Sequence, residues 1–334
     1  YILRRMLVMI PTLLGITLVT FAITQVVPGG PVEKALQRIR FGGQGDSAQS
    51  AVEITEELRE QLEAQYGFDK PAHVRYFEWL GNTLTMNFGE SYYYEEPVID
   101  IVIDRFPVSL TFGIVNFFLV YLISIPLGIW KAVHDGSRFD SLSSILLFVA
   151  YSIPPFALAI VLIVFLCGGS YFDWFPLQGL VSENFEYLSF WEQIVDYVHH
   201  AFLPLVCYII GNFALITMLM KNSLIEQLAQ DYKRTAEAKG LDPSGVIYKH
   251  CLRNALIPIA TGLGTYIGLF LTGSLLVEQI FGLDGIGRLS YDSIMERDYP
   301  VVLAIIFLGS IATVVGNLIS DLLYVIIDPR IDFA

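Results

Sequence analysis

The side chains with the greatest chemical capacity cluster between Lys221 and Arg253. Six are basic (Lys221, Lys233, Arg234, Lys239, Lys249, Arg253) and four acidic (Glu226, Asp231, Glu237, Asp242), between two long apolar runs. A charge at the centre of a spanning helix costs roughly 2.5–3.5 kcal/mol, so ten oppose insertion by about 25 kcal/mol or more. The segment therefore stays outside a bilayer. It also reads as folded. Ser223 followed by Glu226 has the form of a capping box opening a helix. Leu224, Leu228, Tyr232 and Ala236 recur at i+4 on one face. Gly240 suits the left-handed position that ends a helix, and Asp242-Pro243 suits the start of the next. The product is a helix–Gly–helix ridge. On its residues alone it is either a docking element for a charged partner or a solvated loop whose charges enforce topology.

Other reactive combinations are sparse. No Gly precedes any Lys, so the GxxxxGK[ST] phosphate loop is missing, and neither HExxH nor GxSxG occurs. His199-His200 reads as an interfacial polar pair at a helix start, with a metal site as the lesser alternative. Cys167, Cys207 and Cys251 have no metal-ligand or redox spacing and read as free thiols. Ionisable groups at mid-membrane mark proton and ion pathways, and Asp321 is the one such group inside an apolar run, near its end. Asn116, Asn212, Asn254 and Asn317 lie in or beside the runs. Such amides usually join helices; Asn116, Asn212 and Asn317 are the candidates for lining a pathway.

The elements that position these groups are spanning helices. The 334 residues are 54% hydrophobic and 16% charged, too apolar for a soluble domain. The net charge of −13 disfavours nucleic acid as a partner. Six runs are long enough to cross a bilayer: Met6–Val27, Val108–Trp130, Leu142–Cys167, Ala201–Met220, Ala255–Val277 and Val301–Ile327. The fold class is all-α membrane protein. The first run reads as a retained helix, being too long for a signal peptide.

Arg4, Arg5, Lys131, Arg138, the basic residues of the ridge and Arg330 fall on one side by alternation, which predicts that side, and both termini, to be cytoplasmic. Gly168–His200 has five acids and no Lys or Arg and belongs outside, as by alternation does Pro28–Arg105. Thr55 is placed to cap a helix over Glu56–Tyr66 ending at Gly67, and Pro71 to start a second. Trp79 and Tyr92 to Tyr94 read as interfacial anchors or as contacts for an external protein. The expected organisation is residues 1–27 as N-terminus and first span, 28–105 as an outer loop region with short helices, 106–327 as a five-helix core including the ridge at 221–254, and 328–334 as a cytoplasmic tail. In Glu278–Leu289, the glycines Gly282, Gly285 and Gly287 predict a tight turn, read as a re-entrant segment or outer gate formed with Phe281 and Leu283.

The ridge TAEAKGLDPSGVIYKHCLRNALIPI resembles the EAA loop of bacterial ABC-importer membrane subunits, with Glu237-Ala238, Gly240 and Ile257-Pro258 at the pattern's places. Lys239 stands where that pattern has its second Ala, a form similar to the peptide-permease branch. RRMLVMIPTLLGITLVTFAITQVVPGGPV, YGFDKPAHVRYFEWL and NFGES resemble the dipeptide/oligopeptide/nickel permeases. SIPLGIWKAVHDGSRFDS, GGSYFDWFPLQGLVS and DPRIDF resemble the YejB-type permeases of microcin C and oligopeptide uptake.

The resemblance implies a type I ABC importer permease with six transmembrane helices in the bacterial inner membrane. It is not itself an enzyme. Its implied partners are a homologous second permease (YejE-like), ATP-binding subunits (YejF-like) holding ATP and magnesium, and a periplasmic substrate-binding protein (YejA-like). The implied cargo is oligopeptides, peptide–nucleotide antibiotics such as microcin C, or cell-wall peptides. The ridge becomes a coupling helix, with Asp231, Tyr232, Arg234, Thr235, Ala236, Glu237, Ala238, Lys239 and Gly240 docking in a groove on the ATPase, where Tyr232 would supply an apolar anchor. An ion-coupled secondary transporter of small solutes is the competing reading; the scarcity of midplane charge opposes it.

Overall fold

The computed structural model describes residues 2–26, 32, 33, 36, 56–65, 69–169, 171–260, 262–264 and 273–327. Among these the chain is helical, without extended sheet. We label α1 Ile2–Val26, α2 Glu56–Gln65, α3 Ala72–Leu84, α4 Val98–Val133, α5 Arg138–Ser152, α6 Pro155–Leu166, α7 Phe190–Leu228, α8 Asp231–Ala238, α9 Leu275–Phe281, α10 Ile286–Glu296 and α11 Tyr299–Ile327. The expected cap Thr55, the end at Gly67, the tail 328–334 and much of the span Ala255–Val277 lie outside the described residues.

Helices α1, α4, α7 and α11 are each long and apolar enough to cross a membrane. The expected span Leu142–Cys167 is not one helix. It is α5 and α6, bent by 94° across the break. The cause is Pro154-Pro155: Pro154 holds ψ at 137° and Pro155 opens α6 at its first turn, since the residue before a proline is pushed out of helical space. Counting that pair as one span gives five among the described residues.

Two spans are longer than their apolar runs. α4 begins ten residues before Val108, and α7 begins at Phe190 rather than Ala201. The true capping box of α7 is Ser189 and Glu192, whose groups satisfy each other's backbone donors. Ser223 and Glu226, expected to open a helix, lie inside α7, and the Ser223 hydroxyl donates to Ala255 O at 2.9 Å.

The main packing pair is α4 on α7. Phe112 stacks on Tyr208 with centroids 5.4 Å apart, and Ser124 Oγ donates to Phe213 O at 3.2 Å. At Gly128 an added Cβ would lie 2.6 Å from Met220 Cβ. Residue numbers rise together along both helices, so the two run parallel. The bent α5–α6 pair is what returns the chain between them. Gly128 permits the close approach, the usual role of small residues between membrane helices.

Candidate functional site

α7 runs out at Leu228, the chain turns through Ala229 and Gln230, and α8 forms the front of the ridge. Gly240 ends it at φ +78°. Gly240 N donates to Glu237 O at 2.9 Å and Leu241 N to Ala236 O at 3.3 Å, the paired bonds of a Schellman stop. Asp242 then caps the next turn by accepting from Gly245 N at 3.3 Å, with Pro243 at its first position. The return continues as a π-helical stretch, Val246–Cys251, into Leu252–Ala255. The helix–Gly–helix expectation therefore holds from Asp231 onward.

Burial divides α8 into two faces. Ala236 is buried and Tyr232 half-buried, in one cluster with Leu224, Leu228, Val246 and Cys251. The i+4 row of the sequence is thus an inward face, continued across the break from α7 to α8. Asn254 Nδ2 donates to Tyr232 Oη at 3.4 Å, and Tyr232 Oη donates to Gln227 Oε1 at 2.9 Å. Burial raises the Tyr232 and Cys251 pKa values from their ordinary ranges. The resemblance implied that Tyr232 anchors in a partner and that Ala236 docks against it. Both instead seal the ridge onto its own stem. The outward face is Asp231, Arg234, Thr235, Glu237, Ala238, Lys239 and Gly240. Lys233 pairs with Glu237 at 3.2 Å.

One turn below Leu224 an ion cluster ties the stem to the α4–α5 corner. Lys221 Nζ lies 2.7 Å from Asp140 Oδ2 and 2.9 Å from Asp135 Oδ1. Asp140 also meets Lys131 Nζ at 3.0 Å. Lys131 has 0% exposure and donates to Asp140 O, Ser143 Oγ and Ser144 Oγ at 2.9, 2.6 and 2.9 Å. Lys131 and Lys221, which read in the sequence as loop and ridge charges, are buried structural groups.

At the other end, Glu278 on α9 is 0% exposed. Its Oε1 accepts from Ser109 Oγ at 2.9 Å, Tyr208 Oη at 2.7 Å and Ser274 N at 3.1 Å, while Oε2 accepts from Arg288 N at 3.0 Å. Ser109 Oγ accepts in turn from Ile286 N at 2.8 Å. Four elements (α4, α7, α9 and α10) are thereby knotted at one carboxyl group, which matches the rule that buried polar groups persist only when hydrogen-bonded. The glycines make the room. A Cβ at Gly285 would stand 2.5 Å from Glu278 Oε2, one at Gly273 would overlap Glu278 Oε1, and one at Gly287 would stand 2.6 Å from Ser274 C.

The tight turn expected over Glu278–Leu289 is present, with Gly282 at φ +64° closing α9. Among the gate candidates, Phe281 and Leu283 are buried in the cluster that holds Phe112, Leu203 and Val277, and Gly285 and Gly287 are buried beside Glu278. Gly282 is half-buried against Gln178. These positions form packed core at the helix ends, not an open re-entrant loop.

The pathway candidates sit on three helices. Asn116 is buried in α4, Asn212 half-buried in α7 and Asn317 exposed on α11. No hydrogen bond joins any two of them among the described residues. Asn116 Oδ1 is buried with no hydrogen-bond partner there. The histidine pair lies ten residues inside α7, not at its start. His199 Nε2 meets Trp174 O at 2.7 Å, and His200 Nδ1 meets Asp196 O at 2.9 Å. Asp321 is buried near the end of α11.

Sequence reading missed Asp140, Ser109, Tyr208 and Glu278. Glu278 is the residue immediately after a charge-free run, flanked by Gly273, Gly285 and Gly287. That combination was the available signal.

Two family models match the chain. The model described as binding-protein-dependent transport system inner membrane component covers residues 124–333, and its N-terminal companion covers residues 1–113. The chain is 45% identical to the peptidoglycan transport system permease protein YejB of Agrobacterium fabrum, across 100% of this chain and 98% of that one. It is 42% identical to the inner membrane ABC transporter permease protein YejB of Escherichia coli O157:H7 over the same shares. Identity to the oligopeptide transport system permease protein AppB of Bacillus subtilis is 37%, across 100% of this chain and 99% of that one.

Proposed function

This chain belongs to the binding-protein-dependent transport system inner membrane components, and from that premise we propose that it is the YejB-type permease of an ABC importer that carries oligopeptides inward. The observation that carries the proposal is the end-to-end likeness to peptide and peptidoglycan permeases, two YejB proteins among them at 45% and 42% identity. Membership of an ABC-permease family displaces the ion-coupled alternative, and it assigns ATP hydrolysis to separate subunits. Cell-wall peptides and peptide–nucleotide conjugates are the cargo we infer from the YejB likeness. The second permease (YejE-like), the ATPase (YejF-like), holding ATP and magnesium, and the external binding protein (YejA-like) are its proposed partners.

In this reading α8 is the coupling helix. Its support is the division of faces: one side is fastened to α7 and to the return segment by Tyr232 and Ala236, in a cluster that also holds side chains of α4, and the other presents Asp231, Arg234, Thr235, Glu237, Ala238 and Lys239 to solvent. A push on the exposed face reaches the long helices through that cluster. ATP-driven movement of the ridge then biases the helices between two states by differential contacts. The ridge side is cytoplasmic in this proposal, with both termini on it and the long loop after α1 opposite. Asn116, Asn212 and Asn317 remain the proposed pathway residues, and the segment around Phe281–Gly287 the proposed outer closure.

The test is co-purification with the candidate ATPase, comparing the natural chain with Glu237→Lys/Gly240→Pro. The natural chain is expected to bring down the ATPase and the variant to lose it while still inserting. Equal capture by both would place the motor contact elsewhere. Capture by neither would remove the mechanical centre of the proposal.

A further inference from the structure

The α3 helix carries two faces of opposite character. Tyr76, Leu80 and Leu84 recur at i+4 and Phe77 lies beside them, forming one apolar arc. Arg75, Glu78 and Asn82, at i, i+3 and i+7, form the opposite polar arc. A short helix with this division is suited to the plane of a membrane interface.

The contacts fix its depth. Tyr76 Oη and Thr17 Oγ1 share a hydrogen bond of 3.1 Å. Thr17 is nine residues inside the apolar span of α1, which ends at Val26, so at 1.5 Å per residue it lies about 14 Å below that end. Phe21 stacks on Trp79 with centroids 6.0 Å apart, and Leu303 of α11 completes the cluster. The apolar arc of α3 therefore lies alongside two spans, below the end of α1. Its polar arc faces the other way. Arg75 donates to Gln25, near the end of α1, and Lys70 pairs with Glu78 at 2.9 Å. Arg75, Glu78 and Asn82 line a cavity of about 280 Å³ together with Asn87 and Glu90.

Half of the apolar arc is largely uncovered among the described residues. Phe77 is 66% exposed and Leu84 70%. Leu14, Leu18 and Val19 of α1, the spanning helix on which Tyr76 and Trp79 rest, are also exposed. α3 thus packs directly on a helix whose exposed side chains lipid covers.

We propose that α3 is an interfacial helix whose Phe77 and Leu84 are immersed in acyl chains of the leaflet into which α1 emerges, while Arg75, Glu78 and Asn82 face water. Trp79, stacked between them on α1, marks the boundary, where amphipathic aromatic rings concentrate. The occupant of the exposed face is lipid, and α3 holds this part of the loop region at the membrane surface instead of letting it stand clear.

Spin labels at single cysteines test it in the full transporter, reconstituted in vesicles of phosphatidylethanolamine and phosphatidylglycerol. The three native cysteines are buried. Labels replace Phe77, Leu84, Glu78 and Asn82, with Leu18 as the lipid-facing reference. Collision with oxygen, relative to a water-soluble nickel chelate, is expected to be as high at 77 and 84 as at 18, and several-fold lower at 78 and 82. Nickel access at 77 and 84 equal to that at 78 and 82 would overturn the proposal, because α3 would then stand in water. Protection of 77 and 84 from both reagents would also overturn it, since protein and not lipid would cover the face.

Discussion

Lys221 Nζ stands 2.7 Å from Asp140 Oδ2, and through it α7 is tied to the first turn of α5 directly beneath the ridge. The same carboxylate lies 3.0 Å from the fully buried Lys131. Two ammonium groups share one acid, with Asp135 as a more exposed fourth member. Removing the shared acid strands the fully buried Lys131 and leaves Lys221 only the more exposed Asp135. Loss of one partner of a buried pair typically costs about 3–5 kcal/mol, whereas an exposed pair is worth at most about 1 kcal/mol. Asp140→Leu is therefore expected to lower the thermal unfolding midpoint in detergent by many degrees or to prevent accumulation of the folded protein. The control is Glu63→Gln, which breaks the exposed Arg59–Glu63 pair on α2 and is expected to leave the midpoint unchanged. Equal effects of the two would mean that the cluster is no more than a surface pair.

Gly240 is the next position where geometry dictates the residue. At φ +78° an L side chain costs about 1–2 kcal/mol, while nothing lies within 4 Å of a Cβ there. The cost is conformational, not steric. Gly240→Asn, with a residue that tolerates the left-handed region, is expected to keep most ATPase capture. Gly240→Val is expected to lose it, because a β-branched residue resists that region most. Insertion, followed by membrane fractionation, should be the same for all three. A Val variant that couples normally would show that α8 does not need this stop.

Much of this was legible in the residues, and the exceptions share a cause. Four runs became spanning helices because about 20 apolar residues suffice to show a span. The stop at Gly240 and the cap at Asp242 were readable because they are local chemistry. The i+4 row of Leu224, Leu228, Tyr232 and Ala236 was correctly a face, but its partner was misjudged, since periodicity says that a face is buried and not what buries it. Lys131, Asp140 and Lys221 were opaque for the same reason. Their meeting depends on α4 and α7 running parallel at Gly128, which no local pattern encodes. The bend at Pro154-Pro155 was visible as two prolines, yet membrane helices often absorb prolines, so the 94° turn was not.

The Glu278 knot gives a coupling test. Glu278→Ala leaves the Ser109, Tyr208 and Arg288 donors without their acceptor, while Ser274 N keeps Tyr208 Oη at 2.9 Å, and each buried donor left unsatisfied costs about 1–3 kcal/mol. Gly285→Ala drives a Cβ to 2.5 Å from Glu278 Oε2 and is expected to destabilise by a similar amount. Most of the clash in the second variant is with the carboxyl group that the first removes, at 2.5 and 2.8 Å, the rest being with Ser109 Oγ at 2.6 Å. The double variant is therefore expected to lose less stability than the two single losses combined, the departure from additivity that contacting residues show. Additive losses in thermal unfolding would mean that the close approach at Gly285 has another origin.

The ridge can finally be followed by a single thiol. Cys251 is buried in the cluster that joins α8 to α7, its Sγ 3.8 Å from Gln227 O. Burial pushes its pKa above the usual thiol range, and the thiolate is the reactive form. Raising the pH past the ordinary thiol pKa of about 8.5 ionises an exposed cysteine, but Cys251 stays protonated until higher pH as long as the return segment remains packed. In a variant retaining only this cysteine, N-ethylmaleimide is expected to label the native protein slowly up to and beyond that pH, and to label it fully once sodium dodecyl sulfate unfolds it. Tyr232→Ala removes the ring that packs in the same cluster and contacts Cys251. That change is expected to speed native labelling several-fold, while Glu237→Lys on the exposed face leaves the rate as it was. The opposite ranking would mean that α8 presents its other face to the stem, and the outward set Asp231, Arg234, Thr235 and Glu237 would lose its claim as the docking surface.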